Sequence, residues 1–122
     1  MKVSLMVGAA LVLAPAAAPA ADLAGTWTIQ GDFSGAVKYT VVCTLRQTGE
    51  ALSGPCKDNF DQTFNAAGSV SGAEARFSYD TLYNGAPVHL DYKGELQPDG
   101  SLKGSVDAGI AQGTFTATRA PA

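Results

Sequence analysis

Residues 76–96 read RFSYDTLYNGAPVHLDYKGEL, and the fold is decided in this stretch. Phe77, Tyr79, Thr81 and Tyr83 alternate with Arg76, Ser78, Asp80 and Leu82, the period of a strand with one buried face. Asn84-Gly85 follows, the dipeptide that most readily takes the two left-handed positions of a type I′ hairpin turn. Beyond it Val88, Leu90, Tyr92, Gly94 and Leu96 continue the inward set, and His89, Asp91, Lys93 and Glu95 the outward one. Turning at Asn84-Gly85 sets Phe77 opposite Tyr92, Tyr79 opposite Leu90 and Thr81 opposite Val88. Apolar side chains then meet on one face and polar ones on the other, which pins the register.

The same grammar runs outward in both directions. Upstream, Ser71-Gly72-Ala73-Glu74 reverses the chain and brings Val70 beside Ala75. Downstream, Gln97-Pro98-Asp99-Gly100-Ser101 is a turn in which Pro presets φ and Gly takes the left-handed position. Gly49-Glu50 forms the tip of another hairpin, with Gly at the first central position of a type II′ turn. Pairing from that tip sets Thr48 against Ala51 and Cys43 directly against Cys56, at a non-hydrogen-bonded position where side chains lie closest. Pro55 lacks a donor opposite Thr44, so a bulge or early fraying is expected there.

Eight strands follow, at about 25–31, 36–47, 51–57, 63–70, 74–82, 87–97, 101–107 and 112–119. No helical period competes with them. Short antiparallel strands joined by tight turns predict an all-β fold, an eight-stranded up-and-down barrel in preference to a sandwich. Its inner face carries Trp27, Ile29, Tyr39, Val41, Leu45, Leu52, Phe64, Val70, Phe77, Tyr79, Leu90, Tyr92, Leu102, Val106 and Phe115.

The 122 residues allow one domain, and their balance of 8 basic against 11 acidic residues argues against a nucleic-acid partner. One His and two Cys exclude a zinc finger, and neither a metal nor a cofactor is expected. Residues 1–21 read as a signal peptide. Lys2 precedes an apolar run from Val3 to Ala14, and Ala18-Pro19-Ala20 offers small residues for cleavage. The run is too short to span a bilayer, so the chain is expected to be periplasmic or secreted and not membrane-spanning. The remaining 22–122 form a single barrel domain. In an oxidising compartment Cys43 and Cys56 are expected to pair, and closing that loop of about 14 residues stabilises by roughly 3 kcal/mol.

Gly25-Thr26-Trp27 opens the first strand, and Gly113-Thr114-Phe115-Thr116-Ala117-Thr118-Arg119 forms the last. A Gly-x-Trp start with an Arg at the end of the final strand resembles the calycins, the lipocalins and fatty-acid-binding proteins. That resemblance implies that Arg119 packs across Trp27 and closes one end of the barrel. The chain departs from lipocalins in lacking a C-terminal helix and the middle Thr-Asp-Tyr motif. Small secreted bacterial metalloprotease inhibitors also share the Gly-x-Trp start, barrel and single disulfide, with a different cysteine spacing.

In an up-and-down meander both termini share an end with the turns at Gly49, Gly72 and Pro98, the expected closed base. The connections 32–35, 57–62, 82–87 and 108–111 lie at the other end and carry Phe33, Phe60, Leu82, Tyr83 and Ile110. These form either a lid on the core or an apolar rim around a port. Tyr39, Tyr79, Tyr83 and Tyr92 fall on the inner face, and Ala66, Gly68, Ala75, Gly94 and Gly104 leave room nearby. Eight strands can enclose a small ligand or be filled by their own side chains. The leading expectation is a non-catalytic barrel binding a small, mostly apolar molecule through Tyr39, Phe64, Tyr79, Tyr83, Leu90 and Tyr92. The alternative is a protein-binding module, such as an inhibitor of a secreted hydrolase, acting through Phe33, Phe60 and Ile110. Ser78, Asp80, His89 and Asp91 share an outer patch, but without cleft or oxyanion hole they read as a solvated strand face.

Overall fold

A computed structural model describes residues 19–35 and 37–121. Eight strands run in chain order: β1 (Gly25–Phe33), β2 (Val37–Thr48), β3 (Ala51–Asp58), β4 (Thr63–Ser71), β5 (Glu74–Tyr83), β6 (Ala86–Leu96), β7 (Leu102–Asp107) and β8 (Gln112–Arg119). Each pairs antiparallel with the next, and β1 pairs with β8 from Trp27↔Arg119 to Asp32↔Thr114, which closes the barrel. The expected all-β, eight-stranded up-and-down barrel is what the chain forms.

The decisive hairpin has the expected register, with Phe77↔Tyr92, Tyr79↔Leu90 and Thr81↔Val88. Asn84 and Gly85 both have positive φ, as a type I′ turn demands. Residues 82–87 are therefore not a loop: both strands continue to the two-residue turn. Strand β1 likewise runs on to Phe33, so strand ends form much of the wall at this end.

Cys43 and Cys56 are bonded, buried, and opposite one another with Cα atoms 4.0 Å apart. The β2–β3 ladder skips Thr44–Pro55 and Leu45–Gly54 and resumes at Arg46↔Ser53 in the same register. Of the bulge or fraying expected at Pro55, it is a local break in the ladder that occurs. No residue is inserted; the ladder only lapses where proline has no N–H to give.

The base of the barrel is filled. Trp27, Ile29, Leu45, Val70, Leu102 and Ala117 are buried there with Leu23, which precedes β1 and had no place in the alternating pattern. Leu23 is held from both sides. Its N–H donates to Gln47 Oε1 (2.7 Å) and its carbonyl accepts from Trp27 Nε1 (2.9 Å). Arg119 lies over the Trp27 ring, Cζ to centroid 4.8 Å, and donates to the carbonyls of Asp22 and Ala24. A cation on an indole face contributes about 0.5–2 kcal/mol, and here it also ties the last strand to the segment before the first. Of the expected leader, 1–18 lies outside the described residues. Ala21, at its end, donates its N–H to the Gly72 carbonyl. Among the described residues no helix is long and apolar enough to cross a membrane.

Candidate functional site, a cavity at the open end

At the end opposite the termini the interior opens into a cavity of about 500 Å³. Its apolar wall includes Phe33, Val37, Tyr39, Val41, Phe60, Phe64, Tyr79, Val88, Leu90 and Ile110. The barrel is therefore filled below and hollow above. The volume lies within the ordinary range for small-molecule sites, about 300–1,000 Å³.

Tyrosine hydroxyls make the floor. Tyr39 on β2 and Tyr92 on β6 come from opposite walls of the barrel, and their hydroxyl oxygens lie 2.7 Å apart. Tyr79, beside Tyr92 on β5, places its hydroxyl 2.5 Å from that of Tyr92. The three form a chain across the lumen with Tyr92 in the middle. Rings fix it from below and above. Phe77 stacks on Tyr92 with centroids 4.7 Å apart, and Phe115 meets the Tyr92 ring edge-on at 5.0 Å. Phe64 stacks on Tyr79 at 4.2 Å, and Phe33 on Tyr39 at 5.7 Å. Burial raises all three phenol pKa values, far above the usual range for Tyr79 and Tyr92, so the hydroxyls remain neutral donors and acceptors.

The expected ligand residues divide accordingly. Tyr39, Phe64, Tyr79 and Leu90 line the cavity; Tyr83 lines only its mouth and is 49% exposed, near the hairpin tip. Tyr92 does not line it but sits beneath and holds the other two hydroxyls. The rim residues Phe33, Phe60 and Ile110 border the same cavity, so the two expected sites are one. Phe60, Leu82 and Ile110 are exposed rather than folded inward, which makes them a rim and not a lid.

The small inward residues act otherwise than expected. None of Ala66, Gly68, Ala75, Gly94 and Gly104 borders the cavity. The Phe115 ring occupies the space over Gly94, and a Cβ at Gly68 or Gly104 would collide with the neighbouring backbone, Arg76 or Lys93. Gly68 and Gly104 serve close strand approach, Gly94 makes room for the Phe115 ring, and the ligand-sized space lies above them.

Two features of the mouth had no sequence signal. The β4–β5 ladder ends at Ala67↔Ser78, so Thr63–Ala66 and Tyr79–Tyr83 are unpaired across that seam. Gln62 bridges it with its side-chain amide, donating to Leu82 O (2.9 Å) and Asp58 Oδ2 (3.0 Å). Thr81, inward on β5 and part of the cavity wall, has a buried hydroxyl without a hydrogen-bond partner among the described residues.

On the outer face His89 is gripped by two carboxylates, Nδ1 to Asp80 Oδ1 at 2.8 Å and Nε2 to Asp91 Oδ1 at 3.2 Å. The Asp80 hydrogen bond chiefly raises its pKa. Both ring nitrogens are thereby occupied by carboxylates, and Ser78 pairs with Asp91 across the strands instead of bonding His89. Among the described residues no group of three or more His, Cys, Asp or Glu is placed to hold a metal ion. Compared with known proteins, the chain matches no family model and no curated protein.

Proposed function

We propose that this protein is an exported, calycin-like, non-catalytic barrel that binds a small, mostly apolar molecule in the open half of its interior. The cavity of about 500 Å³ above the tyrosine chain carries this reading. An aromatic-walled hollow of this size holds a small molecule through apolar burial, at about 25 cal/mol per Å² removed from water. The Gly25-Thr26-Trp27 start, the stacking of Arg119 on Trp27 and the closed eight-strand order support the calycin likeness. The disulfide fits an oxidising compartment.

Nile red, a neutral environment-sensitive dye, tests the reading. The mature chain should bind one equivalent with a blue-shifted emission. Val88→Trp, which fills the wall, should weaken binding by about tenfold or more without loss of the barrel's circular dichroism. Equal binding by the two proteins would refute the cavity as the site.

The exposed side chains of Phe60 and Ile110 favour a second reading, a protein-binding module engaging a secreted hydrolase through these two and the half-buried Phe33. Phe60→Ala would then cost partner binding far more than dye binding, because its side chain is 60% exposed at the edge of the mouth.

A further inference from the structure

The polar complement of the cavity wall narrows the chemistry of what it can hold. Three hydroxyls in a chain own three protons, and the two contacts Tyr39–Tyr92 and Tyr79–Tyr92 consume only two. If Tyr39 and Tyr79 both donated to Tyr92, the remaining proton would sit on the most buried of the three with nothing to accept it. That arrangement is costly. Tyr92 therefore donates to one neighbour, and the spare O–H belongs to Tyr39 or Tyr79, the two that border the cavity. Thr81 adds a second unpartnered hydroxyl, inward and two residues along β5 from Tyr79. Against these donors stands the charge of the lining. Asp58 borders the cavity, as do Asp91, Asp107 and His89 from the outward positions of β6 and β7, where His89 is bonded to Asp80 and Asp91; no Lys or Arg does among the described residues. Asp58 is held in place by the N–H groups of Phe60 and Gln62 and by the Gln62 amide.

Resting on the ligand-binding reading above, we infer that the cavity selects an uncharged amphiphile. Its apolar body carries a carbonyl or ether oxygen that accepts from the Tyr39–Tyr79 floor and from Thr81, and the carboxylate of the same skeleton is rejected. A carboxylate entering here would shed its water beside the Asp58 carboxylate, with no Lys or Arg to receive it and with His89 already held by Asp80 and Asp91. A neutral ester or ketone gives up little hydration and meets donors already in place.

Competition against Nile red at neutral pH, with methyl laurate, laurate and dodecylamine as matched probes, tests the inference. Methyl laurate should compete at least about tenfold more strongly than either ion. Thr81→Val should weaken methyl laurate several-fold and raise the melting temperature of the ligand-free protein by removing a buried unpaired hydroxyl. Thr81→Ser should keep the ester affinity. Laurate binding as tightly as its ester would overturn the selectivity while leaving the cavity reading intact. Dodecylamine binding tightest would overturn it too, since aspartates rather than hydroxyls would then choose the ligand. Failure of Nile red and all three probes to bind would remove the ligand-binding reading itself.

Discussion

Gly31 and Tyr39 face one another across β1 and β2, and the tyrosine ring lies over the glycine. A Cβ at Gly31 would run into the ring carbons and hydroxyl of Tyr39. The glycine is what allows Tyr39 to lean inward and reach Tyr92 across the lumen. Alanine in a strand ordinarily gains about 0.5–1 kcal/mol over glycine. Here overpacking, typically about 1–3 kcal/mol, should dominate and push the ring off its partner. Gly31→Ala is expected to lower stability in urea titration and to weaken Nile red binding; a more stable variant with unchanged binding would show the contact to be soft. The inward direction of Tyr39, Tyr79 and Tyr92 was legible from alternation alone. Their meeting at one point was not, because it depends on which strands face each other across the closed barrel. Leu23 was illegible for another reason. It lies outside any strand, and its burial comes from Gln47 and Trp27, which reach it from other elements.

The β5–β6 hairpin is built in two halves. Near the base it is flanked on both sides, by β4 up to Ala67↔Ser78 and by β7 up to Asp91↔Asp107. Beyond those pairs, Tyr79–Tyr83 and Ala86–Leu90 are paired only to each other. Beyond Tyr79, which is held by Tyr92 and Phe64, three side-chain hydrogen bonds steady this outer half: Gln62 to Leu82 O, and His89 to Asp80 and Asp91. An outer half with so few backbone partners should open locally at lower free energy than the rest. Amide hydrogen exchange should therefore be at least about tenfold faster over Thr81–Leu90 than over Phe77–Ser78 and Tyr92–Lys93. Nile red should slow it selectively in the outer half, whose residues Thr81, Val88 and Leu90 line the cavity. Uniform exchange along the hairpin would contradict this division. The pairing within the hairpin could be read residue by residue from Asn84-Gly85 and the alternation of aromatic positions. The end of the neighbouring ladder could not, since a sheet parts where barrel curvature carries strands away from each other, and no single strand's composition records that.

At the scale of the molecule, the tyrosine chain divides a packed base from a hollow mouth and links walls on opposite sides of the barrel. A division of this kind ties stability to protonation. Burial holds the pKa values of Tyr39, Tyr79 and Tyr92 above the free phenol value of 10.0, so the folded state favours the neutral form. The contribution is complete below that unfolded-state value and is lost as pH climbs above it toward the raised folded values. The barrel should resist until the free energy of three restrained ionisations exceeds its net stability, and then unfold in one step. In the Tyr83→Phe variant, whose remaining tyrosines are these three, phenolate absorbance should rise together with loss of the β-sheet circular dichroism signal. Phenolate appearing gradually while the sheet signal stays intact would mean that water reaches the floor and that the three hydroxyls are not a sealed chain. A saturating neutral probe such as methyl laurate should move the coincident transition to higher pH, because a ligand bound only to the folded state adds RT ln(1 + [L]/Kd) to its stability.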